Sequence, residues 1–325
     1  MSASHPRSEE IEEVRRRLEA ANPKRGTALA VGVFDGVHQG HVFLLERLKE
    51  RASQMDLVPG VITFLSHPRN VLHPERKLPC LSSREERLRL LRRRVDLVIE
   101  LPFTKKLADL GARDFVEMLR EHLDLKMLVM GPDFALGRGR EGDASLLRKL
   151  GEELGFEVEV VPPLVIRGRR VSSSAIREAL SSGDIETANA MLGRSYSLEG
   201  VVVRGASRGR ALGFPTANIA PDPQKLLPAR GVYAALAFVN QRFYKAAVNI
   251  GVRPTFESSE EITIEAFLIG FEGELYGAEC KLHFVKRLRE ERRFPSAEEL
   301  ISQIREDVKR ASEILAGEEI EDEGS

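Results

Sequence analysis

The 325-residue sequence has no tryptophan, only two cysteines, and aromatic residues at 6%. Cys80 and Cys280 are isolated and lack metal-ligand spacing, which argues against a disulfide framework or a cysteine-based metal site and fits a reducing compartment. The N-terminal residues carry charge every few positions where a secretory signal needs an apolar stretch, and no run of about 18 apolar residues occurs. A cytoplasmic location without a membrane partner is therefore expected.

An excess of charge of one sign is also absent, because 49 Lys and Arg face 50 Asp and Glu for a net charge of −1. Such a chain has no overall basic field to hold nucleic acid, and it lacks the stacking aromatics interleaved with basic residues of a nucleic-acid-binding module. No nucleic acid is expected as a partner, whereas a weak homo-oligomer is left open. Any anionic ligand must be bound locally.

The length is about twice that of a usual single domain, so two domains are expected. From residue 27 to about 185, short apolar runs alternate with helical patterns, which predicts a parallel sheet with helices on both faces. The predicted strands are TALAVGVF, VPGVITF, VDLVIEL, KMLVMG and FEVEVV, and the helices include HVFLLERLKERAS, SREERLRLLRRR and ARDFVEMLREHL.

After Tyr196, apolar runs follow one another with Gly, Pro or Asn breaks and no helix between them, which predicts an antiparallel barrel or sandwich. Capping-box spacing of Ser83 with Glu86 and of Ser296 with Glu299 marks two helix starts, the second for a closing helix. The predicted fold class is α/β plus β, with domains at residues 1–185 and 186–325.

The stretch GVFDGVHQGH, residues 32–41, directly follows the first predicted strand. Asp35 and Gly36 are expected to make a turn, and Gly40 to let backbone approach a ligand closely. His38 and His41 are spaced so that both can donate hydrogen bonds to one phosphate at a helix N-terminus. A lone histidine here would more often be structural, whereas the pair with glycine favours an anion site.

The stretch VSSSAIREAL supplies the hydroxyls of Ser172, Ser173 and Ser174 at a predicted helix start, with Arg177 expected in the first turn. A cation there opposes the helix dipole, which a bound phosphate would explain. The alternative is a surface arginine paired with Glu178 or another neighbour.

The segment MGPDFALGRGREGD contains the G-x-G-x-x-G spacing at Gly137, Gly139 and Gly142. The glycines do not directly follow the strand, and the charged residues between them suit a tight helix–strand crossing poorly. A mobile substrate loop is therefore expected instead of a dinucleotide turn. The P-loop sequence G-x-x-x-x-G-K-[ST] does not occur.

In this order, GVFDGVHQGH, TFLSHP, GPDFALGRGREG and VSSSAIR resemble the adenylyltransferase half of prokaryotic bifunctional riboflavin kinase/FAD synthetases. The segments RGASRGRALGFPTANIA, GVYAA, NIGVRPTF, LYG and LREERRFPSAEELISQIREDV are similar to that family's riboflavin kinase module, so the resemblance spans residues 27–312. It implies a Rossmann-like nucleotidyltransferase sheet and a kinase-like barrel. It also implies phosphorylation of riboflavin to FMN at the barrel and adenylylation of FMN to FAD at the sheet, with ATP and Mg²⁺ serving both.

For the adenylyltransferase, the resemblance implies that His38 and His41 stabilise the α-phosphate of ATP while FMN attacks, and that Arg177 holds the leaving phosphates. Asp133 and Phe134 lie in the loop that resembles the family's flavin and ATP contact. The other expected binding residues of this half are Gly32, Phe34, Asp35, Gly36, Gly40, His67, Ser172, Ser173 and Ser174.

For the kinase, the resemblance implies that Thr216 and Asn218 place Mg-ATP, and neutral oxygens of this kind suit a hard cation. Glu265 matches the carboxylate that takes the proton from the 5′-hydroxyl of the ribityl chain. Strand alternation puts Thr263, Glu265 and Phe267 on one face, but alone leaves open whether that face is a site or solvent. The remaining expected binding residues are Gly205, Gly209, Arg210, Gly213, Phe214 and Pro215, with Arg208 beside them.

The sequence departs from the family's pattern at Ala175, where a second arginine is frequent, and at Phe267 and Gly270 beside Glu265. The first change would weaken the grip on phosphate, and the others would alter kinase rate or flavin fit. A monofunctional nucleotidyltransferase whose barrel only binds remains the alternative function.

Overall fold

The alternation of strands and helices in the first half produces a five-stranded parallel sheet in the computed structural model, which describes residues 9–205, 213–254 and 260–318. The chain divides into two units, Met1–Ser172 and Ser173–Ser325. The assignment of residues 1–185 to one reaction and of residues 186–325 to the other stays a prediction. Across the described ranges, no helix is long and apolar enough to cross a membrane.

The sheet of the first unit has the strand order β3-β2-β1-β4-β5, with every neighbouring pair parallel as predicted. Its strands are β1 (Thr27–Val31), β2 (Val58–Phe64), β3 (Leu97–Leu101), β4 (Leu125–Met130) and β5 (Glu157–Val160). The chain order reverses on the two sides of β1. Ligands of open α/β sheets bind beyond the carboxyl ends of the strands at such a reversal, so the turn after β1 has the position of a binding site.

Among the described residues of this unit, seven α-helices accompany the sheet: α1 (Glu9–Ala20), α2 (Gln39–Gln54), α3 (Pro68–Leu72), α4 (Arg84–Arg92), α5 (Lys105–Ala108), α6 (Ala112–Leu123) and α7 (Ala144–Leu154). A short ribbon of β6 (Val165–Ile166) and β7 (Arg169–Arg170) follows β5. Helix α6 has the predicted bounds, whereas α2 begins two residues before its predicted start.

Alternation along β1 divides the core of this unit between the two faces of the sheet. Leu29 and Val31 pack into the cluster that contains buried residues of α1, α6 and α7. Ala28 and Ala30 pack on the other side, in the cluster that contains Leu45 and other residues of α2. Both faces are therefore covered by helices, which confirms the prediction.

In the second unit, α8 (Ser173–Ser182) and α9 (Ile185–Leu192) precede a closed six-stranded barrel of order β10-β11-β12-β9-β8-β13. The strands are β8 (Tyr196–Val203), β9 (Ala217–Pro221), β10 (Gly231–Val239), β11 (Arg242–Pro254), β12 (Glu260–Leu268) and β13 (Glu279–Arg289), and α10 (Ala297–Ile314) closes the unit. Of the two predicted alternatives, the barrel is the one formed. Strand β9 was not predicted as a separate strand.

Helices α8 and α9 are fastened to the barrel within this unit. The amide of Asn189 donates to the carbonyl of Phe284 at 2.8 Å and accepts from the backbone N–H of Tyr196 at 2.7 Å. The backbone N–H of Ala229 donates to the carbonyl of Leu180 at 2.9 Å. The short helix between the two halves of the sequence therefore packs on the barrel.

Two further sequence features agree with the structure. Ser83 and Ser296 are the N-caps of α4 and α10, and each hydroxyl accepts from the backbone N–H three residues on, at 3.1 Å from Glu86 and 3.2 Å from Glu299. Both cysteines are free thiols. Burial raises the pKa of the Cys280 thiol to about 12, so this thiol is protonated at neutral pH.

Helix α10 is tied to the barrel by a buried ion pair. Asp307, which is 3% exposed, contacts Nη2 of Arg289 at 2.7 Å and Nε at 3.0 Å, and accepts from Nε2 of Gln303 at 2.9 Å. Asp307→Ala is expected to lower the free energy of unfolding by about 3 kcal/mol, because it leaves a partly buried guanidinium without its carboxylate. Urea unfolding measures this, with exposed Glu306→Ala as the control. Equal midpoints for the two variants would contradict the expectation.

Candidate active sites

Residues 34–41, which end the connection from β1 and include the first three residues of α2, are here named the histidine turn. The backbone N–H of Val37 donates to the carbonyl of Phe34 at 3.0 Å, and Gly36 has a φ of +82°, so Asp35 and Gly36 form the predicted turn. Phe34 and Val37 also have positive φ, at +53° and +38°. Such angles are costly for residues with a Cβ, above all for a β-branched one, and they cluster at functional sites.

The two histidines of this turn lie against each other at the start of α2. His38, 5% exposed, is the N-cap, and its Nδ1 accepts from the backbone N–H of His41 at 3.2 Å. The neutral ring that accepts at Nδ1 carries its proton on Nε2, so Nε2 is the donor atom of this imidazole. The rings are stacked with centroids 3.6 Å apart at 13°. Both imidazoles therefore sit where the free N–H groups of a helix start also favour an anion.

Gly40 makes room for this histidine pair. A Cβ built on Gly40 would lie 3.2 Å from both Cε1 and Nδ1 of His38 and 3.5 Å from the carbonyl of Val171. The His38 ring fills the space beside Gly40, so the lack of a Cβ at this position serves the packing of His38. The close approach of a ligand to Gly40 stays a prediction.

Gly40→Ala is expected to slow FAD formation about tenfold, because the added methyl displaces the stacked His38 ring by a fraction of an ångström. The initial rate of FMN adenylylation measures the effect, and riboflavin phosphorylation by the same sample is the control. A wild-type adenylylation rate would mean that the ring tolerates the shift.

Asp35 and Phe34, two of the expected binding residues of this half, contact other residues of the protein. Asp35 is 3% exposed, and its carboxylate accepts from the backbone N–H groups of Leu81 at 2.9 Å and Ser82 at 3.2 Å. Phe34 is buried with its ring centroid 5.1 Å from that of His41. A direct contact of either residue with ligand stays a prediction. Sequence reasoning missed Ser82, because it lies near the turn only in the folded structure and belongs to no motif shared with the turn.

A cavity of about 630 Å³ opens beside the end of β1 and gathers four of the predicted residues, Gly32, His67, Asp133 and Phe134. Its walls are mainly apolar and include three further phenylalanines, Phe64, Phe103 and Phe115. His67 is the N-cap of α3 and accepts from the backbone N–H of Arg69 at 3.1 Å. A cavity of this size with aromatic walls and a few polar groups suits a flat heterocyclic ligand.

The glycines of the G-x-G-x-x-G spacing pack the loop that carries Asp133 and Phe134. A Cβ on Gly137 would lie 2.6 Å from the backbone nitrogen of Ala112, the first residue of α6, which donates to Oε1 of Glu141 at 2.8 Å. Gly142 pairs with Leu136 in an isolated antiparallel bridge. The loop therefore docks on α6, and the spacing is no dinucleotide turn, as expected.

Three of the four predicted phosphate-binding residues, Ser173, Ser174 and Arg177, belong to α8 in the second unit, whereas Ser172 ends the first unit. Ser172 directly precedes the helix, Ser173 and Ser174 are its first two residues, and Arg177 is the fifth. The prediction that Arg177 lies in the first turn was wrong, because the helix already begins at Ser173. The dipole argument for a ligand loses weight accordingly, since that effect falls off beyond the first turn.

In the barrel, Asn218 of β9 and Glu265 of β12 are cross-strand partners, and Glu265 also faces Asn249 of β11 in the register. Along β12 the residues Ile264, Ala266 and Leu268 are buried, whereas the alternate ones, Thr263, Glu265 and Phe267, are half-buried. This second set with its strand neighbours is here named the β12 face. Asn249 was missed, although it begins the quoted segment NIGVRPTF.

Residues around the PTAN segment line two neighbouring features. A Cβ on Gly205 would overlap the amide of Asn218, and Phe214 packs edge-on against Phe267 with centroids 5.4 Å apart. Thr216 and Pro215 instead line a cavity of about 360 Å³ together with Leu275 and Tyr276 of the LYG segment. The structure thus brings Asn218 and Glu265 together and puts Thr216 at the cavity.

The glycines and arginines around this site have outcomes of their own. Gly213 has a φ of +85° and Gly270 one of +77°, which suits glycine at both positions. Gly209 and Arg210, with Arg208, lie outside the described residues. Among the residues that the structure describes, no group of three or more His, Cys, Asp or Glu could hold a metal ion.

Comparison with known proteins assigns the two halves separately. A family model described as FAD synthetase matches residues 20–175, and one described as riboflavin kinase matches residues 192–315. The bifunctional riboflavin kinase/FMN adenylyltransferase of Escherichia coli (strain K12) is 36% identical over 296 residues, covering 90% of this chain and 94% of that protein. The protein of the same name from Bacillus subtilis (strain 168) is 35% identical over 293 residues, covering 88% and 91%.

A solved structure, described as a macrolide-efflux protein from Streptococcus pneumoniae, is also similar, with a TM-score of 0.81 and 29% identity over 88% of this chain and 94% of that one. The kinase match on the barrel half disfavours a monofunctional nucleotidyltransferase. Both family models and the curated relatives agree along nearly the whole length, and the chain therefore belongs to the family of bifunctional riboflavin kinase/FMN adenylyltransferases.

Proposed function

We propose that this bifunctional enzyme forms FAD at the histidine turn and phosphorylates riboflavin at the β12 face. The observation that carries the first assignment is the stacked pair of His38 and His41 at the start of α2. The second rests on the cross-strand pairing of Asn218 with Glu265. Riboflavin, FMN and ATP are the substrates of these two activities.

In adenylyl transfer, a phosphate oxygen of FMN attacks the α-phosphorus of ATP, the bond to the β-phosphate oxygen breaks, and pyrophosphate leaves. Nε2–H of His38 and the imidazole of His41 would donate to the non-bridging oxygens, which gain charge as phosphorus becomes five-coordinate. Arg177, with Ser172, Ser173 and Ser174, would hold the departing pyrophosphate by charge-assisted hydrogen bonds. The adenylyltransferase thus needs donors and no general base, because the attacking phosphate is already an anion.

The 630 Å³ cavity is the proposed site of the flavin ring of FMN. Its phenylalanine walls offer apolar and edge-to-face contacts to a planar aromatic ring. Gly32, His67, Asp133 and Phe134 line the cavity and are the residues proposed to contact the ligand. A flavin there would place its phosphate tail toward the end of β1, which leads into the histidine turn.

In the kinase reaction, Glu265 would accept the proton of the ribityl 5′-hydroxyl. The hydroxyl oxygen then attacks the γ-phosphorus of ATP, and ADP leaves. Asn218 lies opposite Glu265 in the register and would orient the phosphates beside it. Thr216 and Pro215 line the 360 Å³ cavity. This cavity is the proposed site of the nucleotide. Gly205, Gly213 and Phe214 would border the site, and Gly209 and Arg210 stay predicted binding residues outside the described part of the chain.

Mg²⁺ is the proposed metal of both steps, and it neutralises phosphate charge when it is bound with ATP. The donor set of the kinase site fits a hard cation, because Thr216 and Asn218 offer neutral oxygens and Glu265 a carboxylate next to Asn218. Few protein ligands are needed when phosphates and water complete the shell. We also propose a cytoplasmic location, on the ground of the two isolated free cysteines.

Incubation with riboflavin, ATP and MgCl₂, followed by chromatography of the flavins, tests the assignment of the two sites. A histidine-turn variant is expected to stop at FMN, and a β12-face variant is expected to leave riboflavin unchanged while it still converts supplied FMN to FAD. A variant of either site that loses both reactions would contradict the proposal.

A further inference from the structure

The histidine turn has a backbone that its own residues do not favour. Phe34, Gly36 and Val37 all have positive φ, and only one of the three is a glycine. The surroundings must therefore hold the turn in this conformation, since a free chain would relax the two residues that carry a Cβ.

Asp35 and Ser82 provide such a hold from two sides. The Asp35 carboxylate accepts from the backbone N–H of Leu81 at 2.9 and 3.1 Å, from that of Ser82 at 3.2 Å, and from the Ser82 hydroxyl at 3.4 Å. The same hydroxyl oxygen accepts from the backbone N–H of Gly36 at 2.9 Å. These two residues are here named the turn clamp, and both are nearly fully buried.

The backbone that the turn clamp binds lies close along the chain to the proposed phosphate donor, His38. Gly36, which the clamp binds by its backbone, is two residues before His38, and the strained Val37 is the only residue between them. His38 in turn holds the first turn of α2 through its Nδ1 and is stacked on His41. A relaxation at Gly36 would therefore rotate the His38 ring and move its Nε2–H.

We infer that Asp35 and Ser82 are positioning residues of adenylyl transfer, which keep the strained turn in the conformation that aims Nε2–H of His38 at the reacting phosphate. The inference rests on the proposed function of His38. It gives Ser82, 41 residues beyond the end of the GVFDGVHQGH motif, a part in the reaction without contact with substrate.

Ser82→Ala removes the acceptor of the Gly36 N–H and is expected to lower kcat for FAD formation between about 10-fold and 10²-fold, with KM for ATP and FMN changed less than about twofold. Asp35→Asn is expected to act in the same direction, because it keeps one acceptor oxygen but puts an NH₂ group, which cannot accept, where Oδ2 accepts from the Leu81 N–H. A raised KM for ATP at unchanged kcat would instead assign Asp35 to nucleotide binding and overturn the inference for it.

Ser83→Ala is the matched control, because it removes the neighbouring hydroxyl, which accepts from the backbone N–H of Glu86 as the N-cap of α4. This variant is expected to lower the melting temperature and to leave kcat for FAD formation unchanged. Riboflavin phosphorylation, measured in every sample, reports the folding of the second unit, and the thermal unfolding transition of each variant reports the folding of the first. A loss of kcat in Ser83→Ala as large as in Ser82→Ala would mean that general destabilisation explains both, and would overturn the inference.

The decisive readout is the double variant Ser82→Ala with His38→Ala. If Ser82 acts through His38, the Ser82→Ala substitution is expected to lower FAD formation by less than about twofold in the His38→Ala background. The same fold-loss in both backgrounds would overturn the inference while the role of His38 stands. Full FAD formation by His38→Ala alone would overturn the role of His38, and with it the positioning role of the clamp.

Discussion

His38→Ala and His41→Ala are each expected to lower the rate of FAD formation from supplied FMN by at least about 10²-fold, while riboflavin is still phosphorylated. Each variant loses one donor to an oxygen that gains charge in the transition state, which is worth about 3 kcal/mol. The stacking of the two rings at 3.6 Å places both donors at one helix start. Initial rates of FMN adenylylation at saturating ATP measure the loss.

His122→Ala on α6 is a matched control, because it removes a histidine that belongs to neither proposed site. It is expected to retain both activities. If His38→Ala and His41→Ala retained wild-type FAD formation, the stacked pair would be a structural element of the turn.

Glu265→Gln is expected to lower the rate of riboflavin phosphorylation by about 10²-fold to 10⁴-fold, because the amide cannot accept the proton of the 5′-hydroxyl. Asn218→Ala is expected to act on the same reaction, since Asn218 is the cross-strand neighbour of Glu265. Riboflavin phosphorylation followed by chromatography measures the loss, and adenylylation of supplied FMN is expected to continue.

Glu279→Gln is the control for this prediction, because it changes an exposed carboxylate on β13 of the same barrel. It is expected to leave both reactions unchanged. Wild-type turnover of riboflavin by Glu265→Gln would show that another group or water accepts the proton.

The two sites stabilise phosphoryl-group transfer with different chemical groups. The histidine turn offers imidazole donors at the start of a helix, which suits an attacking group that is already a phosphate anion. The β12 face offers Glu265 and the neutral Asn218 instead, which suits an attacking alcohol that must lose a proton. The difference in nucleophile between the two reactions thus corresponds to a difference in the residues proposed for each.

Local patterns in the sequence were sufficient for the elements whose signals are local. The capping boxes at Ser83 and Ser296 mark the starts of α4 and α10, and the apolar runs mark the parallel strands. Alternation along β12 correctly separated the face of Glu265 from the buried one. Each of these depends on residues within a few positions of one another.

Features that depend on contacts between distant segments were not predicted. His38 as an N-cap shifted the start of α2, because histidine is not among the residues that commonly cap helices. Strand β9 pairs with β8 and β12 over only a few residues, and it was not predicted as a separate strand. The contact of Asp35 with Ser82 joins residues 47 positions apart, so no spacing rule could have shown it.

The most direct test of separate sites is to mix two variants in one solution with riboflavin, ATP and MgCl₂. His38→Ala lacks the proposed phosphate donor and Glu265→Gln lacks the proposed base, so neither is expected to make FAD from riboflavin alone. Together they are expected to make it, because FMN released by the first variant is adenylylated by the second. A mixture that forms FMN but no FAD would contradict the account, since one of the substitutions would then have damaged both reactions.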